Sequence, residues 1–227
     1  MIKKLLYPLC AALLLAGCSQ DEWTGEAAYG YLSLDGISLQ SIETVPVTRA
    51  VKSDLYIEIR QGDRQIALYE PGKLPADATV KVPVGSYTLH AYNAAYLEQD
   101  NWGDNEPGEA AYYEETSFNI TEDATHTVTL IVPMVNFGVS LSLPKGFGSW
   151  FNNATFSVLS GNRSVQLGEG KTAYFPYSEG TQFTYTLAAL NQDNENNTDI
   201  GTYTTVEAGT VYTVTYSLPE GLSVSGL

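Results

Sequence analysis

Ile57-Glu-Ile-Arg-Gln-Gly-Asp-Arg-Gln-Ile-Ala-Leu68 returns 99 residues later as Phe156-Ser-Val-Leu-Ser-Gly-Asn-Arg-Ser-Val-Gln-Leu167. In both copies apolar and polar residues alternate, a Gly-Asp or Gly-Asn pair interrupts them, and an arginine opens the return. Period-two alternation around such a pair predicts a β-hairpin. The glycine, the Asp/Asn, the arginine and every apolar position expected to face inward coincide. A second stretch repeats at a spacing of 98: Tyr87-Thr-Leu-His-Ala-Tyr-Asn93 against Tyr185-Thr-Leu-Ala-Ala-Leu-Asn191. Thr127-Val-Thr129 and Thr213-Val-Thr215 then stand near the end of each set. The repeat covers most of residues 54–133 and 153–218, which predicts two related β-sandwiches in tandem with a boundary near Pro133-Met134.

Working outward, the first set contains expected strands at 55–61, 65–69, 79–82, 86–93, 113–120 and 125–132. Leu55, Ile57 and Ile59 face inward. A long loop, 95–111, holds Trp102 and five acids. Ahead of the set, residues 30–40 read as one strand bent at Asp35-Gly36, with Leu32 and Leu34 in one phase and Ile37 and Leu39 in the other. Residues 41–53, with Pro46 and Arg49-Ala50, read as a loop. The second set opens on Val135, Phe137, Val139, Leu141 and Leu143, followed by an aromatic loop at 144–152. Strands are expected at 154–160, 163–167, 172–175, 182–190, 201–206 and 211–218, with a polar loop from Asn191 to Asp199. Residues 220–227 read as a tail.

Composition agrees with an all-β class. The 227 residues include 16 Tyr, and long helical patterns are lacking. The N-terminus has a basic start, Lys3-Lys4, and an apolar run from Leu5 to Leu15 that is short of the ~20 residues a bilayer span needs. It reads as a signal peptide, 1–17. Its loss takes the basic count from 11 to 9 against 26 acids, and the net charge from −15 to −17. Such a surface repels nucleic acid and anionic headgroups. Cys10 leaves with the signal, so Cys18 has no disulfide partner and no cysteine metal site can form.

The ending Leu15-Ala16-Gly17-Cys18 resembles the bacterial lipobox. That resemblance implies cleavage between Gly17 and Cys18 and an N-terminal acyl/diacylglycerol lipid on Cys18, followed by a lipidated tether over 18–29. Asp21-Glu22 resembles the surface-export signal of Bacteroidetes lipoproteins. With Gly30-Tyr-Leu-Ser-Leu34, Val47-Thr-Arg-Ala50 and Tyr212-Thr-Val-Thr-Tyr-Ser-Leu218, the chain resembles the domain of unknown function 4493 family. Its layout is similar to fimbrillins (type V pilins), which have two transthyretin-like sandwiches. The resemblance implies an N-terminal sandwich (30–133), a C-terminal one (134–219) and an outer-membrane fimbrial or adhesion subunit without enzyme activity. Its implied partners are the membrane, through the lipid, and other pilin-like subunits or a host ligand. It also implies a protease site at Arg49-Ala50. The alternative is a surface glycan-binding lipoprotein of a carbohydrate-uptake system.

Catalytic and metal candidates are weak. His90 and His126 lie in strands without a nucleophile motif. Glu114 and Glu115 are adjacent in a strand and point to opposite faces. Asp100, Asp104, Glu106 and Glu109 crowd one loop but lack the calcium-loop pattern and read as solvated. No metal or cofactor is expected. For glycan contact, Trp102, Tyr112 and Tyr113 are the candidates. Trp150 and Phe151 read instead as caps on the sandwich or seals between domains.

Overall fold

The computed structural model describes residues 27–40, 54–217 and 221–226. The expected signal peptide, Cys18, most of the tether and the Arg49-Ala50 site lie outside these residues.

Among the described residues, seven strands precede the boundary: β1 (Tyr29–Leu39), β2 (Tyr56–Gln61), β3 (Arg64–Tyr69), β4 (Thr79–Pro83), β5 (Gly85–Tyr92), β6 (Tyr113–Ile120) and β7 (Thr125–Val132). Eight lie beyond it: β8 (Phe137–Ser142), β9 (Phe151–Ser160), β10 (Arg163–Leu167), β11 (Thr172–Phe175), β12 (Phe183–Asn191), β13 (Asn196–Tyr203), β14 (Val211–Ser217) and β15 (Gly221–Gly226). The first half forms sheets β4-β1-β7 and β3-β2-β5-β6, and the second forms β11-β8-β14-β15 and β10-β9-β12-β13. Strand for strand, the orders are the same, with β15 added. β1 runs antiparallel to β4 and parallel to β7, as β8 does to β11 and β14.

Alternation places one face of most strands in a core. Leu32, Leu34, Ile57, Ile59, Leu89 and Val132 are fully buried in the first cluster, which draws on both sheets of its half. Phe137, Phe156, Val158, Phe183 and Val214 do the same in the second. Both hairpin turns use glycine in the left-handed region, Gly62 at φ 56° and Gly161 at φ 57°. β1 is a single strand whose pairing with β7 shifts register between Ser33 and Gly36. A side chain at Gly36 would meet the Val128 carbonyl oxygen at 2.5 Å, so the close approach there requires glycine. The shift returns Ile37, which is 4% exposed, to the inward face.

Several expectations are corrected. Leu68 does not match Leu167: it is 42% exposed against 8%. The β2–β3 pairing carries a bulge after Ile59, which turns Ala67 and Tyr69 toward the core, whereas the β9–β10 pairing is regular. The stretch 191–199 is not all loop, because β13 already begins at Asn196. As an edge strand it pairs only with β12, and its exposed polar side chains give no apolar alternation. The tail is a strand: β15 pairs with β14 from Tyr212↔Gly226 to Ser217↔Gly221. β9 starts at Phe151, inside the expected aromatic loop. The 95–111 loop opens with a short helix, α1 (Ala94–Glu98), whose N-cap Asn93 accepts from Tyr96 N at 3.2 Å.

Candidate functional sites

Three places bear on function: the groove filled by β1, the junction between the halves, and two aromatic surfaces. β1 sits between β4 and β7 rather than at an edge, and its inward side chains are among the most buried in the chain.

The junction is built by the excursion between β5 and β6. Asn93 and Asn191 occupy the same repeat position, and each organises the loop that it opens. Asn191 Oδ1 accepts from Asp193 N and Glu195 N, closing a tight turn. Asn93 Oδ1 instead accepts from Tyr96 N and Tyr112 N, and its Nδ2 donates to Ala110 O, so it clasps the two ends of a long excursion. That excursion crosses to the edges of both second-half sheets. Asn105 N donates to Ser164 O (2.9 Å) and Tyr174 N to Pro107 O (2.7 Å). Ser164 N reaches Asp104 Oδ1 (2.8 Å), and Gln166 N reaches Asn105 Oδ1 (3.2 Å). The edges of β10 and β11 are thereby covered on this side.

Arg64 and Arg163 are also repeat equivalents with different fates. Arg64 is exposed. Arg163 is 9% exposed under the excursion, where its Nη2 donates to Glu106 O and Tyr174 O. Its guanidinium stands 5.3 Å from the Trp102 ring and 4.5 Å from the Phe175 ring. Burial pulls its pKa down, opposed by the charges of Glu106 and Asp104. Asn136, fully buried in the connecting segment, accepts from Ala111 N (3.0 Å) and donates to Glu109 O (2.9 Å). Neither Arg163 nor Asn136 stood out in the sequence. The offset of 99 marked Arg163 only as a repeat position, and a lone asparagine after a strand carries no signal.

The three residues singled out for glycan contact do not converge. Trp102 is half-buried in the junction, with its ring against Gly108, where a Cβ would collide with it, and beside Arg163. Tyr112 packs against the first core. Tyr113 lies on the outer face of β3-β2-β5-β6, stacked on Tyr96 at 4.5 Å. Its hydroxyl donates to Glu115 Oε2 (2.7 Å) and lies 3.1 Å from His90 Nδ1. Burial first, then the Glu115 hydrogen bond, raises the Tyr113 pKa. The Trp150 and Phe151 expectation divides. Phe151 is half-buried against the second core beside Phe147 (4.9 Å), but Trp150 is 58% exposed and neither caps nor seals.

Among the described residues, no group of three or more His, Cys, Asp or Glu gathers as a metal site. Glu106 and Asp104 serve backbone N–H groups instead. No helix among the described residues is long and apolar enough to cross a membrane.

Residues 28–226 match the family described as domain of unknown function (DUF4493), and the chain belongs to that family. A comparison with curated proteins finds no match. Among solved structures, the chain is similar to a candidate cell adhesion protein from Bacteroides eggerthii. The identity is 11% and the TM-score 0.50, covering 89% of this chain and 95% of that one, so the two share a fold. A candidate cell adhesion protein from Bacteroides uniformis aligns at 11% identity and TM-score 0.49, covering 90% and 97%. Candidate polysaccharide binding proteins from Bacteroides thetaiotaomicron align at 12% and 0.49, covering 88% and 95%.

Proposed function

We propose that this DUF4493 family member is a lipid-anchored surface subunit of a fimbrial or adhesive assembly at the outer membrane. In this reading its halves are tandem transthyretin-like β-sandwiches, as in fimbrillins. The observation that carries the proposal is the place of β1. Burying Leu32, Leu34 and Ile37 there is worth roughly 5–9 kcal/mol at about 1.5–3 kcal/mol per side chain. Withdrawing the strand would open a groove with unpaired main-chain groups along both β4 and β7. A strand from a neighbouring subunit would restore both the ladder and the apolar contacts.

Arg49-Ala50 lies in the sequence between β1 and β2, where one cut by a trypsin-like protease would free the strand. β15 is an edge strand with Leu222 and Val224 packed on the second core, the alternation an exchanged strand needs. The cell adhesion description of the structural relatives accords with this reading. Limited trypsin digestion of the folded lipoprotein, with N-terminal sequencing and a gel assay for polymer ladders, tests it. A new N-terminus at Ala50 retained in a polymer is the expected result. Resistance of Arg49 in the native protein, or simple unfolding after the cut, would end the strand-exchange proposal.

A further inference from the structure

Trp150 is the most exposed aromatic side chain among the described large hydrophobics, and its surroundings are fixed. A 3-10 turn at Phe147–Ser149 comes directly after Gly146, which is left-handed at φ 87°. Phe147 and Phe151, on either side in sequence, are held by Tyr216, whose ring meets theirs edge-on at 5.4 and 5.9 Å. Trp150 N donates to Phe147 O at 3.0 Å. The β12–β13 turn is tied beside it, because Gln192 Nε2 donates to Ser149 O at 3.1 Å and Asn191 Oδ1 holds the Asp193 and Glu195 N–H groups. A shallow cavity of about 370 Å³ results, lined by Trp150, Phe151, Asn191, Gln192 and Asp193.

We propose that this cavity binds a neutral saccharide unit of a polysaccharide. An indole face accepts the apolar C–H face of a pyranose ring, while the Asp193 carboxylate and Gln192 Oε1, whose amide is held by its Nε2 on Ser149 O, accept from the ring hydroxyls. Asp193 at the rim and the chain's net charge of −15 oppose uronic and sialic acids, which narrows the ligand to neutral sugars. The same charge disfavours insertion of Trp150 among anionic headgroups. In the first half, Trp102 belongs to the excursion after Asn93 and is turned into the junction beside Arg163. In the second half, the turn after Asn191 is short and closed on itself, and Trp150, in the β8–β9 connection beside it, is exposed. The residues of this site take no part in the strand-exchange proposal, so its failure leaves that proposal standing, and the reverse.

The test is affinity electrophoresis of the mature protein in native gels. The gels contain galactomannan, xyloglucan, starch or yeast mannan, with polygalacturonate as the anionic comparison. Retardation by at least one neutral polysaccharide and not by polygalacturonate is expected. Trp150→Ala should weaken it at least tenfold, Asp193→Ala should weaken it less, and Trp102→Phe should leave it intact. Circular dichroism confirms that each variant is folded. Equal retardation of Trp150→Ala overturns the proposal, as does mobility unchanged in all four neutral gels. Loss of self-association in Trp150→Ala by sedimentation, without any retardation of the parent, overturns it in favour of a protein contact.

Discussion

Replacing Asn136 with alanine should loosen the joint between the halves at a measurable cost. The backbone links of this segment survive the change: Gly209 N to Asn136 O (2.8 Å) and Val135 N to Ala111 O (2.8 Å). The side-chain links do not. The Ala111 N–H, on a fully buried residue, loses its acceptor, and Glu109 O loses its donor. An orphaned buried polar group costs about 1–3 kcal/mol, so the Ala111 N–H alone predicts a loss of that size, and Glu109, an exposed residue whose carbonyl water can serve, adds little. Against a typical stability of about 5–15 kcal/mol, that is a large fraction. Asn136→Asp keeps the acceptor but removes the donor and buries a charge, so it should be no milder at neutral pH and should recover partly in acid. Urea unfolding followed by circular dichroism gives the numbers. An unfolding free energy for Asn136→Ala within about 0.5 kcal/mol of the parent would refute the reasoning, because that is the range of an uninvolved surface change.

Other expectations rest on single features. Leu167→Ala should cost about 2–5 kcal/mol and Leu68→Ala under about 1, since the bulge exposes only the latter; equal losses in urea unfolding would mean the bulge is misplaced. Burial raises the pKa of Tyr112 and Tyr174 above the usual 10.0, with lesser contributions from their neighbouring tyrosine and from Glu109 respectively. The folded chain therefore keeps protons that the unfolded chain loses above that value. Stability should be flat below about pH 10 and fall above it. An alkaline series of thermal melts that stays level past about pH 11 would contradict this. Cys18→Ala should shift the protein from the membrane to the soluble fraction or stall its processing, because several acyl chains at ~0.8 kcal/mol per buried CH₂ supply the anchoring; unchanged membrane partitioning would defeat the lipid reading.

The strands legible in the sequence, central and edge alike, are those that turn one apolar face to a core. Ile57, Ile59, Leu89, Phe156, Val158 and Leu187 alternate because both faces of their strands have fixed and different surroundings, and all six are buried. The start of β13 is not legible, because from Asn196 to Asp199 the side chains are polar on both faces and give no such contrast. Leu68 was misplaced because a bulge moves one residue without changing the composition of the strand. The junction was invisible for another reason. Asp104, Asn105, Glu106 and Arg163 look like ordinary solvated residues until the excursion brings them together across 57 to 61 positions. Trp102 and Trp150 each sit beside glycines in the sequence, and only the fold shows that the first is turned into the junction and the second faces solvent.

The direction of the ladders also decides how the chain answers a pull. Tension entering at Tyr29 and leaving at Val132 draws the parallel strands β1 and β7 past each other, so that their hydrogen bonds resist together. β8 and β14 repeat this arrangement in the second half. β15 is different, since it runs antiparallel to β14 and its last residue, Gly226, lies opposite Tyr212. A load on that end peels it away one pair at a time. Under tension the two halves would act as shear-loaded links, while β15 would be the first part to yield.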